Sequence, residues 1–140
     1  MDRQQSFEVE EPSPADVAFV EDRLYEFNAG TTGIHDGLTL GVFLRDEGGT
    51  IVAAATGHTW GGVCELRQVW VADVLRKHGV GRRLMARAEA EARARDCRQI
   101  ILTTHSFQAP GFYRKLGFDV VSEIADCPRG HSHLTLRKTL

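Results

Sequence analysis

Long apolar runs are absent from this sequence. No stretch approaches the roughly 20 consecutive apolar residues that an α-helix needs to span a bilayer. Residues 1–14, MDRQQSFEVEEPSP, contain no apolar segment of the kind found in secretory signals. We therefore expect a cytoplasmic protein that has no membrane partner.

Cysteine is scarce as well. The chain has three cysteines, Cys64, Cys97 and Cys127, which is an odd number. They are widely spaced and form no Cys-x-x-Cys pair, a pattern typical of reduced thiols and not of a disulfide framework. Cys127 is followed by His131 and His133, but this Cys-x-x-x-His-x-His spacing matches no common zinc site and a fourth ligand is not evident. We therefore predict no metal site.

An overall excess of basic residues, which nucleic-acid binders usually have, is also missing, because the net charge is −2. The charge is nevertheless divided unevenly. Residues 1–75 hold 13 acidic and four basic side chains, whereas residues 76–140 hold six acidic and 13 basic ones. The division suits a C-terminal half that binds an anionic ligand and an N-terminal half that receives a cation. The alternative is that the two halves only attract each other.

What the sequence does contain is the composition of a soluble globular domain. It has 140 residues, of which 42% are apolar and 26% charged. This length suits one domain over residues 1–140, and no internal repeat is present.

Periodicity and turn signals predict the order strand, helix, three strands, helix, strand, helix and two strands. Ser13 and Pro14 start the first helix as its cap and first residue, and Asn28-Ala29-Gly30 ends it. A strand–helix–strand crossover within an otherwise antiparallel sheet predicts an α+β fold, with a mixed, mostly antiparallel six- or seven-stranded sheet flanked by helices. The predicted strands are 6–10, 38–45, 50–59, 63–71, 100–103, 118–124 and 132–140, and the later helices are 81–96 and 109–116.

The loop at residues 76–81, RKHGVG, leads into a helix whose first turn carries Arg82 and Arg83 and no acidic residue. A helix N-terminus holds partial positive charge and free N–H groups, so arginines there suit a bound phosphate, which the two loop glycines would let the backbone approach. The alternative is an ordinary strand-to-helix turn with its arginines in solvent. The loop is not a P-loop or a dinucleotide fingerprint, because Gly81 is not followed by Lys-Ser/Thr and Leu84 stands where a third glycine would be needed.

The same loop resembles the acyl-CoA loop of the GNAT superfamily of N-acyltransferases, Arg/Gln-x-x-Gly-x-Gly/Ala. A second segment, residues 106–118 (SFQAPGFYRKLGF), resembles the superfamily's Asn-x-x-Ala-x-x-x-Tyr-x-Lys-x-Gly-Phe motif, although Ser106 stands where many members have Asn. The two motifs occur in the family's order with a predicted strand between them, and the chain looks like a small bacterial subgroup of mostly unassigned substrate. The matching residues are Arg76, Gly79 and Gly81 in the loop, and Ala109, Tyr113, Lys115, Gly117 and Phe118 in the second motif.

The resemblance implies an acetyl-CoA-dependent N-acetyltransferase that acts by direct transfer in a ternary complex. It places acetyl-CoA, as co-substrate, in an opening of the sheet beside the strand at residues 63–71, with the Val71 N–H against the thioester carbonyl. The cofactor-binding residues that it implies are Val69, Val71, Arg76, Lys77, His78, Gly79, Val80, Gly81, Arg82, Arg83, Ser106, Tyr113 and Lys115.

Acetyl transfer to an amine needs a neutral amine, a polarised carbonyl and a proton for the leaving thiolate. The resemblance implies Tyr113 as the general acid; the alternative is a packed aromatic residue. Glu65 is the candidate base, because some relatives carry a catalytic glutamate there and strict strand alternation puts it on the same face as Val71. A bulge between Glu65 and Val71 would put them on opposite faces of the strand. Glu65 could also be an ordinary surface residue. The other candidates are His35, His58 and a water chain.

The acceptor that we expect is a small-molecule or peptide amine, cationic because of the charge division. A homodimer is left open. The alternative function, of a different class, is a catalytically silent acyl-CoA-binding or regulatory module on the same fold.

Overall fold

The computed structural model describes residues 5–140. They divide into a unit that ends at His35 and a unit from Asp36 to Leu140. Residues 1–4 of the predicted single domain lie outside the described residues. Within the described chain, no helix combines the length and the apolar content needed to cross a membrane.

The first unit is an extended segment followed by helix α1 (Pro14–Thr32). The predicted strand at residues 6–10 is wrong, since these residues form no strand and the side chains of Phe7 and Val9 are fully exposed. An alternating pattern yields a strand only where a partner strand satisfies its backbone groups, and no strand pairs with this segment among the described residues.

Helix α1 begins where its sequence signals predict. The Ser13 hydroxyl accepts from the Asp16 N–H at 3.1 Å, and the Asp16 carboxylate accepts from the Ser13 N–H at 3.3 Å. This reciprocal capping box satisfies donors that a helix N-terminus leaves free. The helix ends at Gly33, three residues later than predicted, because Gly33 adopts φ 74° and donates its N–H to Ala29.

The second unit is a six-stranded sheet in the order β1-β2-β3-β4-β6-β5. All neighbouring strands are antiparallel except β3 and β4, which run parallel because helix α2 connects them as a crossover. The predicted α+β class is therefore confirmed. The elements are β1 (Leu38–Arg45), β2 (Ile51–Trp60), β3 (Val63–Val71), α2 (Val80–Ala94), β4 (Gln99–His105), α3 (Pro110–Lys115), β5 (Asp119–Ala125) and β6 (Ser132–Thr139).

The core lies between the sheet and α2. The predicted helix face, Val80, Leu84, Ala88 and Ala92, is buried. Small residues on both sides, such as Ala88 on the helix and the buried Ala53 and Ala55 on β2, allow the helix to approach the sheet closely. The face of the sheet that packs under α2 carries the other core residues, Cys64, Leu66, Ile100, Leu102, Leu134 and Leu136.

Candidate active site

The parallel strands β3 and β4 stay together for only part of their length. They pair from Val63 with Gln99 to Leu66 with Leu102, and the following residues of the two strands are unpaired with each other. A cavity of about 1200 Å³ occupies this opening and extends to the loop before α2 and to α3. The sheet is therefore split at the place where a long ligand could lie between two strands.

The backbone of β3 directs hydrogen-bonding groups into this opening. The Ala72 N–H donates to the Val52 carbonyl at 2.9 Å. Because backbone groups alternate in direction along an antiparallel ladder, Trp70 and Gln68 also bond to β2, while Val69 and Val71 direct their groups away from β2, towards β4. The Arg76 guanidinium donates to the Val71 carbonyl at 3.1 Å on that side. The N–H groups of Val69 and Val71 thus face the cavity.

A bulge in β3 changes the position of Glu65. Gln68 lies opposite Thr56 while Leu66 lies opposite Gly57, so Arg67 is an extra residue in β3. Gly57 is required there, because a Cβ at this position would overlap the Glu65 carbonyl.

The bulge makes the parity prediction for Glu65 wrong. Glu65 pairs with His58 and Val71 with Ala53, and positions 58 and 53 lie on opposite faces of β2. Glu65 therefore lies on the face of the sheet away from α2, 3.7 Å from the Arg67 guanidinium, and it does not line the cavity.

The loop before α2 forms an uncapped helix N-terminus. Gly79, the cap residue, adopts φ 77°, no side chain bonds to the first-turn N–H groups, and that turn holds no acidic residue. These N–H groups are therefore available to a ligand. Gly81 has a different role, since a Cβ there would lie 3.2 Å from the Phe112 ring.

The charge that lines the cavity has one sign. No carboxylate is present among the described lining residues, and the Arg76 guanidinium also bridges Asp73 at 2.9 Å at the start of the loop. Such a surface suits a ligand with several negative charges, as phosphates are. The cationic lining residues are Arg67, Arg76, Lys77, Arg82 and Lys115.

Tyr113 on α3 lines the cavity near the loop and is only 8% exposed. Its ring packs edge-on against Phe112 and Phe118, with ring centroids 5.1 and 5.8 Å away. Burial raises the pKa of the Tyr113 hydroxyl above its ordinary value, so it stays protonated at neutral pH. It is a proton donor that points at no other described residue's acceptor.

The structure brings together most of the residues that the sequence predicts as cofactor-binding. Those that line the cavity are Val69, Val71, Arg76, Lys77, Gly79, Val80, Gly81, Arg82, Tyr113 and Lys115. His78, Arg83 and Ser106 are not among the lining residues. The Ser106 hydroxyl accepts instead from the Ser132 N–H at 2.9 Å, which ties it to the start of β6.

Several lining residues were not predicted from the sequence. Arg67, Gln68 and Trp70 belong to the bulged part of β3, and a bulge has no reliable signal in a single sequence. Phe107 and Gln108 lie within the second motif, but they occupy its variable positions. In the part of the chain described, no three His, Cys, Asp or Glu side chains cluster in a way that could hold a metal ion.

Comparison with known proteins yields one consistent family. A model of the acetyltransferase (GNAT) family matches residues 3–118. A blasticidin-S acetyltransferase from Streptomyces morookaense is 37% identical over 94 residues, which are 66% of this chain and 69% of that protein. The acetyltransferase Atu2258 from Agrobacterium fabrum is 27% identical over 85% of this chain and 87% of its own.

A solved structure shares the whole architecture. The crystal structure of an acetyltransferase from Bacillus cereus superposes with a TM-score of 0.78 and is 26% identical, over 96% of this chain and 98% of that one.

Proposed function

The chain belongs to the GNAT family of acetyltransferases, and from that premise we propose that it transfers an acetyl group from acetyl-CoA to a primary amine of a cationic acceptor. GNAT acetyltransferases use acetyl-CoA. The observation that carries the proposal is the split between β3 and β4, where the Val69 and Val71 N–H groups and the Tyr113 hydroxyl meet one cationic cavity.

Binding of acetyl-CoA follows from the charges and the free backbone groups of the cavity. Arg76, Lys77 and Arg82, with the N–H groups of the first turn of α2, would hold the phosphates. The edge of β3 would form hydrogen bonds with the amides of the extended pantetheine arm of acetyl-CoA, as a sheet edge does with an added strand.

The chemistry assigns one role to each group around the opening. The Val71 N–H would polarise the thioester carbonyl, a task for which fixed backbone donors are well suited. Tyr113 would give its proton to the departing sulfur. Glu65 lies outside the lining of the cavity, on the face away from α2, so it would take the proton of the acceptor amine through intervening water.

Transfer would be direct, without a cysteine intermediate. None of Cys64, Cys97 and Cys127 is among the described residues that line the cavity. Burial raises the pKa of the Cys64 thiol to about 11, so it is protonated at neutral pH and is a poor nucleophile.

The substrates would bind in a fixed order. The empty cavity presents five cationic side chains, Arg67, Arg76, Lys77, Arg82 and Lys115, which repel a cationic amine. The phosphates of bound acetyl-CoA offset these charges, so the amine would bind second and form a ternary complex.

A panel of amines assayed for released CoA thiol and for the acetylated product tests the proposal. Blasticidin S is the first acceptor to include, because a relative is named for it. We expect turnover of at least one cationic amine, with intersecting double-reciprocal plots. Binding of acetyl-CoA without transfer to any amine would instead support the alternative function, a catalytically silent acyl-CoA-binding module. Absence of acetyl-CoA binding would contradict both functions.

A further inference from the structure

Four aromatic side chains pack together where β4 ends and β6 begins. The His105 ring stacks on the Phe107 ring with centroids 5.1 Å apart, and it meets the His133 ring edge-on at 5.3 Å. Phe107 contacts His131 at 4.9 Å on its other side. We call His105, Phe107, His131 and His133 the histidine cluster. Neither of the two motifs explains why three imidazoles meet here.

The hydrogen bonds around Gln108 fix the tautomer of His105. The Gln108 side-chain oxygen accepts from the His105 backbone N–H at 2.8 Å and from the Thr104 hydroxyl at 3.0 Å, and His105 Nδ1 lies 3.1 Å from it. A backbone N–H only donates, so the atom that meets it is the amide oxygen. Nδ1 must then donate to the same oxygen, and in the neutral imidazole this leaves Nε2 as the acceptor.

The cluster lies beside the split in the sheet, on the face away from α2. Leu102 and Thr104 are buried on the α2 face, so His105 is on the other face by strand alternation. His105 is not itself a lining residue, but Phe107 and Gln108, two of the residues that it contacts, line the cavity. The cationic loop and α2 lie on the α2 face of the sheet. The acceptor would therefore approach from the opposite face, on which His105 lies.

We propose that His105 Nε2 and the Phe107 ring bind a second cationic N–H group of the acceptor, an inference that rests on the proposed acetyl transfer. Nε2 would accept a charge-assisted hydrogen bond from this group. The face of Phe107, whose side chain is 55% exposed, would attract its positive charge. His105 is thus a specificity-determining residue, and the acceptor class is a molecule with two amine groups.

The test compares α,ω-diamines, from ethylenediamine to octanediamine, with n-alkylamines of the same lengths, at saturating acetyl-CoA. For the wild-type protein we expect at least one diamine with a KM about tenfold lower than that of the matched monoamine, as one hydrogen bond to a charged group gives. Equal KM values for diamines and monoamines, or no turnover of any diamine, would overturn the inference. Transfer to monoamines alone would still support the proposed function.

Two variants locate the effect at His105. His105→Phe keeps a ring stacked on Phe107 and leaves Gln108 with its other two donors, so it should fold, lose the diamine preference and keep kcat. Gln108→Leu removes the oxygen that accepts from Nδ1, so the tautomer of His105 is no longer fixed and the diamine preference should weaken.

His131→Asn is the matched control, because His131 contacts Phe107 without bonding to Gln108, and its KM values should not change. A diamine preference that persists in His105→Phe, or that is undiminished in Gln108→Leu, would overturn the inference, as would an equal loss in His131→Asn. Nitrogen-15 NMR of the wild-type protein should show His105 protonated at Nδ1; protonation at Nε2 would remove the acceptor on which the inference depends.

Discussion

Gly79 and Gly81 lie two residues apart, yet each is needed for a different reason. Gly79 adopts φ 77° with open space around it, so a side chain there meets backbone strain but no neighbour. Gly81 has no positive φ, and a Cβ there would lie 3.2 Å from the Phe112 ring. A pattern of two glycines predicts the loop, but only the structure separates a requirement of the backbone from one of packing.

Gly79→Asp should weaken acetyl-CoA binding more than Gly79→Asn does. Asn and Asp have nearly the same size and both tolerate this backbone conformation better than most residues. The difference between them is one negative charge at the uncapped N-terminus of α2. A further loss of on the order of tenfold in affinity is expected for Asp at a partly exposed site. Calorimetric titration of both folded variants measures it, and equal affinities would remove this helix terminus from the phosphate site.

Tyr113→Phe should lower kcat by roughly a hundredfold while acetyl-CoA affinity changes little, because only a proton donor is lost. Burial raises the pKa of Tyr113, so in the wild-type protein the donor is lost only at a pH above the ordinary tyrosine value of about 10. Steady-state rates and a thermal melt at neutral pH provide the measurement. A folded variant with full turnover would make Tyr113 a packing residue.

Glu65→Gln should lower kcat/KM by roughly a hundredfold if this carboxylate accepts the amine proton. The substitution keeps the size of the side chain and removes an exposed ion pair with Arg67, which contributes little to stability. Arg67→Gln is the matched control, since it removes the same ion pair and leaves the carboxylate; its acetyl-CoA affinity is measured in parallel, because Arg67 also lines the cavity. If both variants lose the same activity, the pair positions a substrate and Glu65 is not the base.

At the scale of elements, the sequence predicts what is encoded locally. Ser13 and Pro14 predicted the start of α1 because a cap residue and a proline at the first helical position are neighbours in the sequence. Two predictions were wrong, the strand at residues 6–10 and the face of β3 on which Glu65 lies, because both depend on pairing with other parts of the chain. A strand needs a partner, and the bulge at Arg67 depends on the register between β2 and β3. The sequence thus predicted a loop and a strand that line one cavity, but not the face of the strand on which Glu65 lies.

The direction of the backbone groups of β3 predicts an asymmetry between adjacent proline substitutions. Val71→Pro removes an N–H that faces the opening, so it should lower kcat by about 10²–10³-fold, the usual effect of losing an oxyanion donor, without breaking the ladder to β2. Trp70→Pro removes an N–H that bonds to β2, so it should lower the melting temperature more. Thermal melts and single-turnover rates compare the two. A full rate in folded Val71→Pro would show that this N–H does not contact the reacting carbonyl.

At the scale of the whole molecule, most of the acidic excess of residues 1–75 lies in residues 1–35. Residues 1–35 carry eight acidic and two basic side chains, whereas the described residues that line the cavity carry five cations and no carboxylate. Four of the five cations, Arg76, Lys77, Arg82 and Lys115, come from residues 76–140, the half in which the charge division predicts an anionic ligand. The acidic excess is confined mainly to the first unit, which composition alone could not have revealed.

The salt dependence of catalysis should report this division. With acetyl-CoA saturating, the phosphates would offset the cationic cavity, and the net negative charge of the protein would attract a cationic acceptor through its summed field. Added salt screens that field, so kcat/KM for a cationic amine should fall as the Debye length shrinks from ~30 to ~8 Å. A neutral arylamine measured in parallel controls for general effects of salt and should show a flat response. A best acceptor that is anionic, or a cationic acceptor whose kcat/KM ignores salt, would contradict electrostatic steering, because screening acts on every charge that attracts the substrate from a distance.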